Sequence, residues 1–217
     1  SDVFGYLVEA EYQDGGDWNQ GEDVHYSGAS RSFINPPDYN QPDHVDHPYF
    51  VPYNPNPQWS NDFGGVHYNS GIPNKIMYLV IAGDSHYNIE VSPLEEDLNV
   101  SRKIAANIWF AWNNFYLDPE DDFNMGREKM LQACNDLYPD QHSYYQTIAA
   151  AWASTGIGSE IIFIEGDVNQ DQAVNILDII ELVNIILTGE SDEIQFSLGD
   201  LNSDGNINIL DIIELVN

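Results

Sequence analysis

Basic side chains are scarce in this chain. Six Lys and Arg stand against 36 Asp and Glu in 217 residues, a formal net charge of -30. A surface so charged repels phosphate backbones and anionic bilayers, which argues against nucleic acid or an anionic membrane surface as partner and leaves cations as the natural ligands. Most of the charge reads as a solvated, self-repelling surface of the kind suited to salty surroundings. Cysteine occurs once, at Cys134, so neither an internal disulfide nor a cysteine-built zinc site can form. The helical pattern around it predicts a small buried thiol. No run of about 18 uncharged apolar residues exists, which removes a membrane span, and no signal peptide opens the chain. Both ends fall inside helical patterns and read as cut rather than natural. What is plentiful is apolar: 42% of residues, enough for one large or two smaller cores.

Residues 1–12 place Val3, Phe4, Leu7 and Val8 at helical spacing, and Asp14-Gly15-Gly16 stops the pattern. From 23 to 63 Pro, Asn, Asp and Gly are dense and periodicity is lost, which predicts a long ordered loop draped over a scaffold. Helical patterns then run to about Gly158, and 160–165 is an apolar connector that can pair as a strand. Beyond it the chain repeats itself. Residues 166–184 and 199–217 align without gaps at 14 of 19 positions, offset by 33, an internal duplication.

Each copy opens with oxygen side chains at loop positions 1, 3, 5, 9 and 12: Asp167, Asn169, Asp171, Asn175 and Asp178, then Asp200, Asn202, Asp204, Asn208 and Asp211. A hard cation with six to eight oxygen ligands needs such a loop, completed by a backbone carbonyl at position 7, from Ala173 or Asn206. Two acidic helix caps are the plainer explanation, but five matched positions recurring twice favour calcium. The module from 166 carries no basic side chain and is too small to fold robustly on apolar burial alone, so calcium is expected to be part of its folding equilibrium.

Between loop and helix lies Asp62-Phe63-Gly64-Gly65-Val66-His67, continued by Tyr68-Asn69-Ser70-Gly71-Ile72-Pro73-Asn74-Lys75. Two glycines allow backbone angles closed to other residues, Pro73 suits a first helical turn, and a carboxylate precedes the histidine by five positions. Such a bend presents either an oriented imidazole to a ligand or a satisfied histidine at a helix start, and spacing alone leaves both open. The histidines of His44-Val45-Asp46-His47 are three apart in a Pro-rich loop rather than four apart on a helix, so zinc is set aside there. His25 and His86 read as surface or structural residues.

The string from Gly64 to Lys75 closely resembles the catalytic-histidine segment in the C-terminal domain of thermolysin-like zinc metallopeptidases, the M4 family. Ser1-Asp2-Val3-Phe4-Gly5 is similar to that family's S-D-[IV]-F-G, Asp17-Trp18 and Gly21-Glu22-Asp23 to its calcium loop, and Ala82-Gly83 with His86-Tyr87 to a strand-forming turn. Helical tracts at 105–117, 123–138 and 142–158 resemble its tail, so the likeness covers about residues 1 to 160. It implies a mainly α fold.

Family enzymes hold zinc with two histidines of an H-E-x-x-H helix and a glutamate on a second helix, and a zinc-bound water attacks the scissile carbonyl. No H-E-x-x-H occurs here. Ser1-Asp2 stand just after the place of the family's zinc-binding glutamate, so the resemblance implies half an active site with no zinc ligands in this chain. In that half His67 would donate to the oxyanion or serve as proton donor, and Asp62 would hold the imidazole and favour its protonated form. Arg31 would bind the substrate carbonyl with its donor fork. Asp2 would orient a zinc-bound histidine supplied from elsewhere. Glu9, Asp17, Asn19 (by its backbone) and Glu22 match the family's double calcium site, with Asp14 nearby. Gln20, Val24 and Ser30 fall where the pocket for the residue after the cut is lined; polar residues at the first and last argue against a strict preference for large apolar side chains.

With Asp at position 12 and one helix per loop, the repeat resembles a type I dockerin, a docking module that binds cohesin domains. Gln172 replaces the usual glycine at position 6 of the first loop, whereas Gly205 keeps it in the second. Where many dockerins use a Ser-Thr-like recognition pair, both copies carry Ile-Leu: Ile176-Leu177 and Ile209-Leu210. A cohesin-like partner would therefore offer an apolar face, and two near-identical copies would allow two orientations. Taken together, residues 1–160 read as a thermolysin-like helical domain and 161–217 as a dockerin-like module. The parent would be a secreted or cell-surface zinc metalloendopeptidase acting on protein substrates, and this fragment alone is expected to be inactive. The alternative is a noncatalytic dockerin-bearing binding or structural protein with a degenerate peptidase domain; an H-E-x-x-H upstream decides between them.

Overall fold

The computed structural model describes residues 2–12, 16–21, 26, 28–54, 56–139, 141–161, 163–171 and 173–216. In order these form helix α1 (Asp2–Tyr12), strands β1 (Asn19–Gln20) and β2 (Arg31–Ser32), the short turn α2 (Asp62–Gly65), helix α3 (Gly71–Ala82), strands β3 (Asp84–His86) and β4 (Ile89–Val91), then helices α4 (Leu98–Ala111), α5 (Phe123–Leu137), α6 (His142–Ser154), α7 (Ile176–Thr188), α8 (Glu193–Gly199) and α9 (Ile209–Leu215). Single 3-10 turns at Pro36–Tyr39 and Trp59–Asn61 and a π-turn at Trp112–Tyr116 interrupt the loops and helices. The chain is mainly α, with two antiparallel two-stranded ladders, β1–β2 and β3–β4. It divides into two compact units, 1–137 with 143–160, and 161–217 with 138–142.

The first unit is built on α3. Ile72, Ile76, Met77, Leu79, Val80 and Ile81 are all buried, and a helix apolar on every side has no solvent face to offer. Helix α4 packs on it, with Ser101 Oγ donating to the carbonyls of Val80 and Ile81 at 3.2 and 2.9 Å. Trp152 on α6 fills the space against α5, its Nε1 donating to Met130 Sδ at 3.2 Å. Cys134 is buried there, as its helical surroundings predict.

Helix α1 buries Val3, Tyr6 and Ala10, not the face of Val3, Phe4, Leu7 and Val8 that spacing suggests; Val8 is exposed. The reason is Tyr6. Its ring stacks on Trp18 at 4.5 Å and leans on Phe33 at 5.0 Å, while Arg102 donates to its hydroxyl from Nε and Nη2 at 3.3 and 3.2 Å. An aromatic body with a satisfied polar tip outcompetes smaller aliphatics for a core place. Through Trp18 and Phe33 it also pins the segment that carries Arg31.

The expected strand at 160–165 is absent among the described residues. The segment turns instead, the Asp167 N–H donating to the Ile164 carbonyl at 2.9 Å; its surroundings in sequence are helices, which present no strand edge to join.

In the second unit α7 and α9 close over Val168, Leu182 and Ile185, flanked by Ile207, Ile212 and Leu215. Each helix starts with the same reciprocal cap. Asn175 Oδ1 accepts from Leu177 N at 2.9 Å while Asp178 accepts from Asn175 N at 2.7 Å, and Asn208, Leu210 and Asp211 repeat both distances. The capping box satisfies amides at both helix starts.

Candidate functional site

Asp62, Phe63, Gly64 and Gly65 all have positive φ, at 53, 51, 88 and 87°, making one left-handed turn. Such a turn costs about 1–2 kcal/mol at each residue with a Cβ, which two glycines avoid. A side chain at Gly65 would also place its Cβ 2.6 Å from Asn69 Nδ2 and 2.8 Å from Val51 Cβ. The turn swings the Asp62 carboxylate back over the amides that follow. Oδ2 accepts from His67 N at 2.8 Å and Tyr68 N at 2.9 Å, and Oδ1 lies 2.6 Å from the imidazole Nδ1. Burial works to raise the Asp62 pKa, but the bonds from the Tyr68 backbone, the His67 ring and the His67 backbone outweigh it and hold the carboxyl below its ordinary value. The Asp62 side chain is 15% exposed and that of His67 63%. With Nδ1 turned to a carboxylate, and so the nitrogen placed to donate, Nε2 is the ring nitrogen left without a partner among the described residues.

Beneath this turn the polar residues of the string find partners. Asn69 accepts from Val51 N at 3.0 Å and donates to Val51 O at 2.8 Å, fixing the preceding loop. Ser70 Oγ lies 2.8 Å from the His67 carbonyl and 3.2 Å from Asp2 Oδ2, and Asn74 Nδ2 donates to the same oxygen at 3.0 Å. Arg31 Nε lies 3.4 Å from Asp2 Oδ2, and Arg31 Nη1 donates to the Ser30 carbonyl at 2.9 Å. Asp2, Arg31, His67 and Asp62, four residues singled out from sequence, are thus joined in one network. Lys75 tethers the segment after Arg31 to α3 by donating to the Ile34 carbonyl at 2.9 Å; burial pushes its pKa down.

Gln20 donates from Nε2 to the Asp2 carbonyl at 2.6 Å, and Ser30 Oγ donates to the Gln20 carbonyl at 3.2 Å. Both polar residues expected at the pocket are therefore engaged with the chain. Val24, His25, Asp14 and Glu22 lie outside the described residues. Of the first calcium set, Asp17 Oδ1 accepts from Asn19 N at 2.9 Å, and Glu9 is half-buried on α1. His44 and His47 accept backbone amides at Nδ1, from Asp46 at 3.0 Å and Tyr49 at 3.2 Å. His86 is buried beside the Asp43 carbonyl, and burial holds its pKa down.

In the repeat loops Asp167 Oδ1 accepts from Asp171 N at 3.0 Å, and Asp178 Oδ1 from Asn169 N at 3.1 Å. The second loop matches, with Asp200 Oδ1 accepting from Asp204 N at 3.1 Å and Asp211 Oδ1 from Asn202 N at 3.3 Å. Asp171 and Asp204 each accept from the amide two residues on, of Ala173 and Asn206, at 3.0 Å. Gly205 N adds a bond to Asp200 Oδ2 at 2.9 Å; its counterpart Gln172 lies outside the described residues. Among the described residues no three His, Cys, Asp or Glu side chains gather on one point, because these carboxylates are held apart on loop amides. Calcium nevertheless fits the loops. Asp178 and Asp211 are wholly buried, no Lys, Arg or His occurs from 161 onward, and the donors are all hard oxygens.

Gln41, Asn69, Ser70, Asn74 and Lys75 carry geometry that spacing does not announce. A signal existed for four of them: polar residues entering a helix that is apolar on every face must be buried with partners. Gln41 has no such signal.

Comparison with known proteins gives two family matches. Residues 1–157 match the thermolysin metallopeptidase alpha-helical domain, and 165–217 the dockerin type I domain. Bacillolysin of Bacillus caldolyticus and thermolysin of Alicyclobacillus acidocaldarius subsp. acidocaldarius are each 33% identical over 161 residues, covering 72% of this chain and 27% of the relative. Neutral protease B of Bacillus subtilis (strain 168) is 29% identical over 161 residues, covering 26% of its own length. The chain thus spans about a quarter of the length of these relatives.

Proposed function

Because this chain belongs to the thermolysin metallopeptidase family, with that family's alpha-helical domain followed by a type I dockerin domain, we propose that it forms the carbonyl-handling wall of a zinc metalloendopeptidase cleft and tethers that cleft through calcium. The observation that carries the reading is the exposed imidazole of His67 locked by Asp62 at 2.6 Å. The sequence contains no H-E-x-x-H, so zinc is assigned to residues outside this chain. Zinc and the attacking water belong to groups outside these residues.

What this chain does is bind and stabilise. Asp62 fixes the His67 ring, so that Nε2–H of the protonated ring donates to the oxygen of a carbonyl as it gains negative charge. Arg31 binds a neighbouring substrate carbonyl, its guanidinium steadied by Asp2. Asp2 in turn orients a metal-bound imidazole presented from outside. Glu9, Asp17 and Asn19, with Glu22, which lies outside the described residues, would hold a calcium ion and so brace the segment leading to Arg31.

One calcium per loop would be held by Asp167, Asn169, Asp171, Ala173, Asn175 and Asp178, and by Asp200, Asn202, Asp204, Asn206, Asn208 and Asp211. Its partner is a cohesin-like domain with an apolar face. Ile176 and Ile209 support this, since they stand 69% and 61% exposed at the helix starts beside Leu177 and Leu210. No described helix is long and apolar enough to cross a membrane, and the site of action is outside the cell or at its surface.

The test is peptide hydrolysis by the zinc-loaded protein at its natural length. His67→Ala lowers kcat about 100-fold or more with an unchanged melting temperature, while the 217 residues alone bind no stoichiometric zinc and turn over nothing. A natural-length protein without turnover would instead support the noncatalytic docking reading.

A further inference from the structure

We propose that Gln41 is a positioning residue that sets the turn carrying His67 in register with Asp2, and through Asp2 with Arg31. The inference rests on the role proposed above for His67. Gln41 lies in the loop before the left-handed turn, 26 residues from His67 in sequence, and is 2% exposed. Its Nε2 donates to the His67 carbonyl at 2.6 Å and to Ser70 Oγ at 2.9 Å. Both hydrogens of the amide are thereby committed to one turn.

The orientation of the amide follows from its partners, since flipping it would set Oε1 against the carbonyl oxygen of His67. In the orientation that remains, Oε1 is buried without a hydrogen-bond partner among the described residues. An unpaired buried acceptor weakens a fold. A position kept for stability alone would be served better by an apolar side chain, so it is the pair of donors that accounts for glutamine here.

The consequence passes through Ser70. Its hydroxyl has one hydrogen and two neighbours able to accept it, the His67 carbonyl at 2.8 Å and Asp2 Oδ2 at 3.2 Å. Gln41 already serves the carbonyl and also donates to the Ser70 oxygen. By occupying one lone pair of that carbonyl, the Gln41 amide favours turning the Ser70 hydrogen to the charged Asp2 Oδ2, the oxygen that Asn74 and the Arg31 guanidinium also address. Gln41 thus biases which way the Ser70 hydroxyl, which lies between the two halves of the network, points.

The surroundings leave it little freedom. Its own N–H donates to the Pro36 carbonyl at 3.2 Å, and a Cβ at Gly71 would lie 2.7 Å from Gln41 Cβ and 2.4 Å from the Pro42 carbonyl. A donor held this closely can act as a fixed point for the imidazole, where small misplacements cost rate steeply.

The experiment uses Gln41→Met, which keeps length and loses both donors, and Ser70→Ala, which removes the link to Asp2. In the 217-residue chain the His67 imidazole Nδ1 proton signal and the Asp62 carboxyl titration are followed by NMR. Gln41→Met is expected to broaden or shift the imidazole proton and to raise the Asp62 midpoint by roughly half a pH unit as the bonds to it loosen. In the zinc-loaded protein of natural length, kcat falls about tenfold with KM within about twofold. An imidazole proton and an Asp62 titration indistinguishable from those of the unmodified chain, in folded Gln41→Met, would overturn the proposal. Should that variant not fold, Gln41→Glu, of the same size but with acceptors in place of donors, and Ser70→Ala decide by the same signals. Absence of peptide hydrolysis at natural length would remove the proposed function, while the NMR result still decides the part played by Gln41.

Discussion

In the first unit the wholly buried side chains are Trp152, Tyr6, Ile76, Met77 and their like, and no Asp or Glu is buried there among the described residues; Asp62 is turned to His67 and Asp2 to Arg31. In the second, Asp178 and Asp211 are themselves wholly buried, beside an apolar core centred on Val168, Leu182 and Ile185. Where apolar burial is ample, a carboxylate is free to orient an imidazole; where it is scarce, carboxylates become part of the framework. The same residue type therefore orients an imidazole in one half and is built into the interior of the other, and the two halves should fail under different insults.

Calcium removal should separate them most widely. With excess EGTA, amide hydrogen exchange in α7 and α9 is expected to lose its protection while α3, α4 and α6 keep theirs. Equal loss in both, or in neither, would break the comparison. The converse insult is Trp152→Ala, expected to destabilise the first unit by about 3–5 kcal/mol through the cavity it leaves, with calcium affinity of the repeats unaltered; calorimetry with calcium titration reads both.

A smaller effect sharpens the contrast within the second unit. Asp211→Ala removes the N3 carboxylate of a capping box and a proposed calcium ligand together, costing about 1 kcal/mol from the capping alone and making the calcium-free and calcium-loaded melting temperatures converge. Smallest is the acid response of the His67 turn. Folded Asp62 has its pKa depressed below its ordinary 3.8, so its contribution to stability is fully present above that value and is lost as pH falls through the folded midpoint. Asp62→Asn should abolish that part of the acid dependence and lower the neutral-pH melting temperature slightly, toward the value the unmodified chain has in acid.

Much of this was legible in the residues. Helical tracts after Gly71 follow apolar periodicity, and the repeat loops announce themselves because five oxygen positions recur at one offset. The His67 turn was legible through Gly64 and Gly65, whose backbone angles nothing else adopts cheaply. Other features depend on partners distant in sequence. Val8 and Tyr6 compete for the core of α1, and only Trp18, Phe33 and Arg102, brought there by loops and α4, decide for Tyr6. The apolar run at 160–165 has strand composition but forms no strand among the described residues. Gln41 is one polar residue among many in its loop, and its meaning lies 26 residues away at the His67 carbonyl.

The central claim is that His67 meets charge that develops during reaction, so the most direct measurement compares a peptide phosphonate, which mimics the tetrahedral oxyanion, with the matching peptide substrate in the zinc-loaded protein at natural length. His67→Ala is predicted to weaken phosphonate binding about 100-fold while KM changes no more than about twofold. Equal weakening of both ligands, or no weakening of the phosphonate, would contradict the account.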